Sequence, residues 1–201
     1  MTADETLIDL LRHGEPLGGR KYRGQTDDPL TERGWQQMWQ ATGSDRPWRR
    51  IITSPLARCG AFADTLGEAM GIAPERDNRL MEVGYGHWSG KTPDELSAEA
   101  PEGFEAFRRD PWSNRPADAE PMGDFTKRVI EAYHDHRDAA DGEPLLIVAH
   151  AGVIRTIIAH NLGMPLEHMY QLQLPYAGRA RFRCRAGWPR LVHMAPTPPE
   201  L

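Results

Sequence analysis

The chain has 201 residues, 39% of them hydrophobic and 26% charged. That is enough for one domain with a sizeable core, and it excludes a disordered or collagen-like chain. With 24 basic and 29 acidic residues the formal charge is −5, which argues against binding along a nucleic-acid backbone or on an anionic membrane and, taken alone, mildly against an anionic substrate.

The first predicted element is a buried strand over Thr6–Leu11, running into Arg12-His13-Gly14. A loop rich in Gly, Pro, Asp and Arg follows over Glu15–Pro29, and Thr31 opens a helix to about Ala41. Arg50–Thr53 reads as a second short strand. Ser54-Pro55 then starts a helix, with Ser as N-cap and Pro at the first helical position. Its apolar stripe is Leu56, Cys59, Phe62/Ala63, Leu66 and Met70, and Gly71 closes it.

Residues 77–121 lack strong periodicity and are punctuated by Gly and Pro, so they are expected to form an excursion with short helices, a lid or wall. Trp88 and Trp112 within it are read as lid packing. Met122–Ala139 is predicted helical, Leu145–Ala149 a buried strand ending at His150-Ala151-Gly152, and Val153–Leu162 a helix. Arg179–Arg185 and Leu191–Met194 alternate as edge strands around Gly187-Trp188-Pro189, and the tail from Pro196 is expected to be loose. Strands alternating with helices, the best strands being continuous apolar runs, predict one α/β domain over residues 1–201 with a largely parallel sheet between helix layers.

Met1 to Glu5 shows no basic stretch followed by an apolar one, and no apolar run approaches the ~20 residues of a membrane span. A cytoplasmic protein without membrane contact is therefore expected. Cys59 and Cys184 are far apart without CxxC spacing, so both read as buried free thiols and no metal site is expected.

In an open α/β sheet, ligands bind beyond the carboxyl ends of the strands. Three predicted strand ends carry polar residues: Arg12-His13, Ser54 with Arg58 a turn later, and His150. A parallel sheet would gather them into one crevice. This set suits phosphoryl transfer. Guanidinium forks bind a phosphate dianion bidentately, and a neutral imidazole can accept a phosphoryl group while a second one donates to a phosphoryl oxygen. Glycines beside the histidines permit close backbone approach, and the helix after Ala151 offers amide donors. Glu82, among apolar residues and glycines, is a candidate acid for the leaving alkoxide.

Five blocks in order carry a resemblance: Leu11-Arg12-His13-Gly14-Glu15, Asp27 to Gly34, Thr53-Ser54-Pro55-Leu56-Ala57-Arg58, Glu82 to Trp88, and Val148 to Arg155. Together they resemble the signature of the histidine phosphatase (phosphoglycerate mutase-like) superfamily. The resemblance implies a three-layer α/β/α sandwich, mainly parallel with an antiparallel edge strand. It implies His13 as the phosphorylated nucleophile, Arg12, Arg58 and His150 as phosphoryl binders, Glu82 as proton donor and acceptor, and no metal or other cofactor.

Three departures touch the substrate pocket: Pro16-Leu17-Gly18-Gly19 follows the first motif, Arg23-Gly24 stands where many members have Thr, Ser or Gln before the Gly, and Ser89 replaces a frequent Glu. Arg23, Gly24 and Gly152 join the candidate substrate contacts. The loop Gly18 to Gln25 and the block Glu82 to Gly90 resemble the bacterial alpha-ribazole phosphatase group. That implies a small phosphomonoester substrate, alpha-ribazole 5′-phosphate of cobalamin biosynthesis. The alternatives are a broad small-molecule phosphatase, a mutase, or a phosphate-sensing scaffold, whose mark would be a missing core residue. All five core residues are present. A homodimer is the base-rate expectation.

Overall fold

The computed structural model describes residues 5–195. The tail from Pro196 lies outside them. Six strands form one sheet, ordered β3-β2-β4-β1-β5-β6: β1 (Glu5–Arg12), β2 (Arg50–Thr53), β3 (Glu75–Arg76), β4 (Leu145–Ala149), β5 (Arg179–Arg185) and β6 (Trp188–Ala195). The first four run parallel, and β5 pairs antiparallel to β1 with β6 returning beside it. The antiparallel edge is therefore a two-strand hairpin.

Alternation along β4 sorts the core into two layers. Leu145, Ile147 and Ala149 face a cluster with α5 (Met122–Ala139) and α6 (Ala151–Asn161). Leu146 and Val148 face α1 (Glu32–Thr42) and α2 (Ala57–Met70). Every residue of β4 is buried, as a central parallel strand covered on both faces must be.

The excursion over 77–121 holds two 3₁₀ turns, α3 (Pro93–Glu99) and α4 (Pro101–Arg109). A capping box between Thr92 and Glu95 starts α3. Trp88, Leu96, Phe104 and Phe107 form their own buried cluster, with Tyr22 and Tyr85 against it. Trp88 thus packs within the excursion, and Trp112 packs partly buried against the main core.

Four boundaries differ from expectation. First, α2 starts at Ala57, and Leu56 caps it without a side-chain hydrogen bond; the Ser54 hydroxyl is engaged elsewhere. Second, α6 begins at Ala151, two residues early, because Ala151 and Gly152 carry no periodic signal. Third, the hairpin turn is Ala186-Gly187, with φ of 49° and 77°, so Trp188 and Pro189 already belong to β6. The two positive φ values fit the tight turn whose twist matches a hairpin. Fourth, β3 and a 3₁₀ stretch at Leu166–Gln171 had no sequence signal. Both cysteines are free and buried. Among the described residues no helix is long and apolar enough to cross a membrane.

Candidate active site

Sheet register builds the centre of the site. Arg12 pairs with Ala149 across β1 and β4, and the His13 N–H donates to the Ala149 carbonyl at 3.0 Å. His13 and His150 therefore leave neighbouring strand ends side by side, their ring centroids 5.3 Å apart and edge-on. Thr53 pairs with Val148 across β2 and β4, which sets Ser54 next to His150.

His13 is 5% exposed. Its Nδ1 lies 2.8 Å from the Gly14 carbonyl. A carbonyl only accepts, so Nδ1 carries the ring proton and Nε2 keeps the lone pair. Burial, then the charges of Arg12 and Arg58, push its pKa well below the usual 6.5. The imidazole is therefore neutral and nucleophilic at Nε2. Close packing holds the segment after it: a Cβ on Gly14 would fall 2.1 Å from the Gly34 carbonyl oxygen in the first turn of α1.

Arg12 donates through Nη1 to the Leu174 carbonyl and lies over the Tyr176 ring, 4.4 Å from its centroid. Its Nε is buried with no hydrogen-bond partner, a donor that an anionic oxygen would satisfy. Burial lowers its pKa to about 10, still charged at neutral pH. Arg58, 1% exposed, donates through Nη1 to the Thr26 carbonyl at 2.7 Å and through Nη2 to the Gly24 carbonyl at 2.8 Å. Gly24 has φ +54°, and a side chain there would crowd Val83, Tyr85 and Ser89.

Glu82 accepts at Oε1 from its neighbour's amide, Val83 N–H, at 3.0 Å and at Oε2 from Gly152 N–H at 3.3 Å. A Cβ on Gly152 would sit 2.4 Å from Oε1. The glycine thus makes room for the carboxylate, and its amide serves Glu82, although the sequence offered it to the phosphate.

His150 stands one layer back. Its expected role is direct donation to a phosphoryl oxygen. In the structure it is fully buried and does not line the cavity; its Nε2 lies 2.7 Å from Ser54 Oγ and its Nδ1 3.3 Å from Arg58 Nε. Burial, then Arg58, lower its pKa well below 6.5. Arg23 is also committed: Nε pairs with Asp28 at 2.9 Å, and Nη2 donates to the Leu17 and Gly19 carbonyls. It pins the 16–24 loop while forming part of the cavity wall.

Arg12, His13, Arg23, Gly24, Arg58, Glu82 and Gly152 converge on a cavity of about 170 Å³. It shares Arg12, Lys21, Tyr22, Tyr85, Arg155, Tyr170 and Tyr176 with an outer chamber of about 650 Å³, where Arg20 and Phe107 also lie. Sequence patterns did not single out the tyrosines, which come from three separated stretches of the chain, at Tyr22, at Tyr85 and at Tyr170 with Tyr176. Arg155 had a signal, three residues after Gly152 on the same helix face. Among the described residues no group of three or more His, Cys, Asp or Glu is placed to hold a metal ion. A dianionic phosphoryl group facing several cations, a neutral imidazole and one carboxylate is what this cavity suits.

Comparison with known proteins gives the same family. The model of the histidine phosphatase superfamily (branch 1) matches residues 8–197. A probable phosphoglycerate mutase, GpmB, of Erwinia tasmaniensis is 30% identical over 171 residues, 83% of this chain and 80% of that protein. A glucosyl-3-phosphoglycerate phosphatase of Mycolicibacterium vanbaalenii is 32% identical over 171 residues, covering 79% and 75%. The crystal structure of the alpha-ribazole phosphatase from Shigella flexneri superposes with a TM-score of 0.84 over 94% of this chain and 95% of that one; at 24% identity this is a likeness of fold.

Proposed function

Since the chain belongs to the histidine phosphatase superfamily (branch 1) and is an enzyme of its phosphatase or mutase type, we propose that it hydrolyses small phosphomonoesters through a phosphohistidine at His13. The observation that carries this is the tautomer of His13: Nδ1–H tied to Gly14, Nε2 free to attack, in a cavity lined by Arg12 and Arg58.

In this mechanism His13 Nε2 forms a bond to phosphorus while the ester P–O bond breaks. Arg12 and Arg58 stabilise the equatorial oxygens. Glu82, as general acid, gives a proton to the leaving alkoxide. It then takes a proton from water as that water attacks phosphorus, the P–N bond breaks, and inorganic phosphate leaves. The 77–121 excursion supplies the outer wall as a lid.

For the substrate we favour alpha-ribazole 5′-phosphate, a nucleoside-like ester. A 650 Å³ chamber walled by Tyr22, Tyr85, Tyr170, Tyr176 and Phe107 supports a ring-bearing leaving group. A phosphoglyceryl ester is the second reading, favoured by Arg20, Lys21 and Arg155 on the same wall, which suit a carboxylate.

The protein incubated with a labelled phosphate donor should carry acid-labile, base-stable phosphate. With His13→Ala the label should vanish and kcat should fall by roughly 10³-fold or more. An undiminished label in that variant overturns the mechanism. Turnover of alpha-ribazole 5′-phosphate should exceed that of glucosyl-3-phosphoglycerate, phosphoglycerates and nucleotides, with inorganic phosphate released. A flat profile rejects the substrate, and transfer to a second hydroxyl without phosphate release makes the protein a mutase.

A further inference from the structure

We propose that Ser54 is a positioning residue for phosphoryl transfer, fixing His150 in one orientation and one tautomer and through it aiming the Arg58 guanidinium. The inference rests on the reading that Arg58 stabilises the phosphoryl group, and it adds a side chain that this reading does not use.

Hydrogen-bond accounting carries it. Arginine Nε–H only donates, so His150 Nδ1, 3.3 Å away, is the acceptor. The single proton of a neutral imidazole must then sit on Nε2, 2.7 Å from Ser54 Oγ, and the hydroxyl oxygen accepts it. The ring is fully buried, an environment that keeps it neutral. Cys59 Sγ packs 3.8 Å and 3.7 Å from the two ring nitrogens, and His13 lies edge-on at 5.3 Å. Ser54 therefore offers the hydroxyl that distinguishes the two ends of this ring.

The local fold agrees. A Ser-Pro pair ahead of a helix ordinarily spends its hydroxyl on the helix N-terminus. Here α2 starts at Ala57, whose amide donates to Asp27 Oδ1 at 2.6 Å, and Ser54 Oγ accepts from the Leu56 amide only at 3.4 Å, against 2.7 Å to His150. Arg58 then has all three nitrogens held, by His150, Thr26 and Gly24. A guanidinium fixed at three points meets developing charge without reorganising. Without Ser54 the buried His150 Nε2–H keeps only the weak acceptor Cys59 Sγ at 3.7 Å, which lies as near to Nδ1, and the opposite tautomer becomes competitive.

The test uses the whole protein with ¹⁵N-labelled histidine. In the wild type His150 should show protonated Nε2 and unprotonated Nδ1. In Ser54→Ala the two tautomers should mix. The kcat should fall about 10- to 100-fold with KM within about threefold, the pattern of an interaction made in the transition state. Inhibition by orthovanadate, which mimics that state, should weaken about tenfold while inhibition by inorganic phosphate changes less. Ser54→Thr, which keeps the hydroxyl, should restore the tautomer and most of kcat. An unchanged tautomer in Ser54→Ala, or a kcat loss no larger than the loss of folded protein measured by circular dichroism, overturns the proposal. The tautomer is read without turnover. A wild type that takes no label at His13 therefore rejects the catalytic reading, and the role of Ser54 is still decided separately.

Discussion

His13 sits between two guanidinium groups out of water, and this decides how it titrates. Burial and the charges of Arg12 and Arg58 penalise its protonated form, so its pKa lies below 6.5. The proposed nucleophile is neutral above that lowered pKa and is lost only as pH falls through it. The His13 acid limb in the pH profile of the phosphorylation rate, measured by rapid quench, should therefore lie below pH 6.5; a limb at or above 6.5 contradicts this environment. Gly152 offers a second test. Its missing side chain admits the Glu82 carboxylate, and a Cβ would stand 2.4 Å from Oε1. It lies in the first turn of α6, where Ala is a better helix former by up to ~1 kcal/mol. Gly152→Ala should hold its melting temperature within a few degrees but lose on the order of 10²-fold in kcat by displacing Glu82, the proposed acid.

At the scale of elements, α5 is clamped to the segment that leads to Glu82. His136 Nε2 lies 2.9 Å from Asp77 Oδ2, and Arg79 bonds both Asp77 and Asp135. Burial raises the Asp77 pKa, but hydrogen bonds from Arg79 and His136 outweigh it and hold the group at about 2. A carboxyl depressed in the folded state contributes stability above its unfolded pKa and loses it as pH falls through the folded value. Asp77→Asn should lower the melting temperature at pH 7, a loss of about 1–3 kcal/mol. It should also flatten the decline between about pH 4 and 2, as thermal unfolding across pH will show. Parallel strands do comparable work for the site. The register of β1 on β4 and of β2 on β4 sets His13, His150 and Ser54 together at one sheet edge.

For the whole molecule the charge of −5 conceals its distribution. Arg12, Lys21, Arg23, Arg58 and Arg155 line the inner cavity against Glu82 alone. The mild argument against an anionic substrate therefore fails, because local charge in a low-dielectric crevice, not net charge, acts on a small dianion. KM for a small phosphomonoester should rise severalfold between about 0.05 and 0.5 M NaCl while kcat holds, since salt screens attraction into the crevice more than contacts within it. A KM indifferent to salt contradicts this.

Local patterns along the chain already carry part of this structure. The strand Leu145–Ala149 and the helix Met122–Ala139 end where their apolar patterns end, because each packs on one continuous core whose geometry imposes the period. The excursion gave no period, because Trp88, Leu96, Phe104 and Phe107 bury one another rather than facing the sheet. Ser54 is the instructive case: as a local pattern Ser-Pro reads as a helix cap, and only tertiary contact shows the hydroxyl on His150. The same holds for the chamber. Tyr22, Tyr85, Tyr170 and Tyr176 meet because strand order and the folded excursion bring their segments together. The sequence by itself determined the long periodic elements and which residue types the chemistry needs, since periodicity and motif spacing act within a few neighbouring residues. The tertiary structure alone decided the contact of His150 with Ser54, the partner of the Gly152 amide and the walls of the outer chamber, because each depends on distances between residues far apart in the chain.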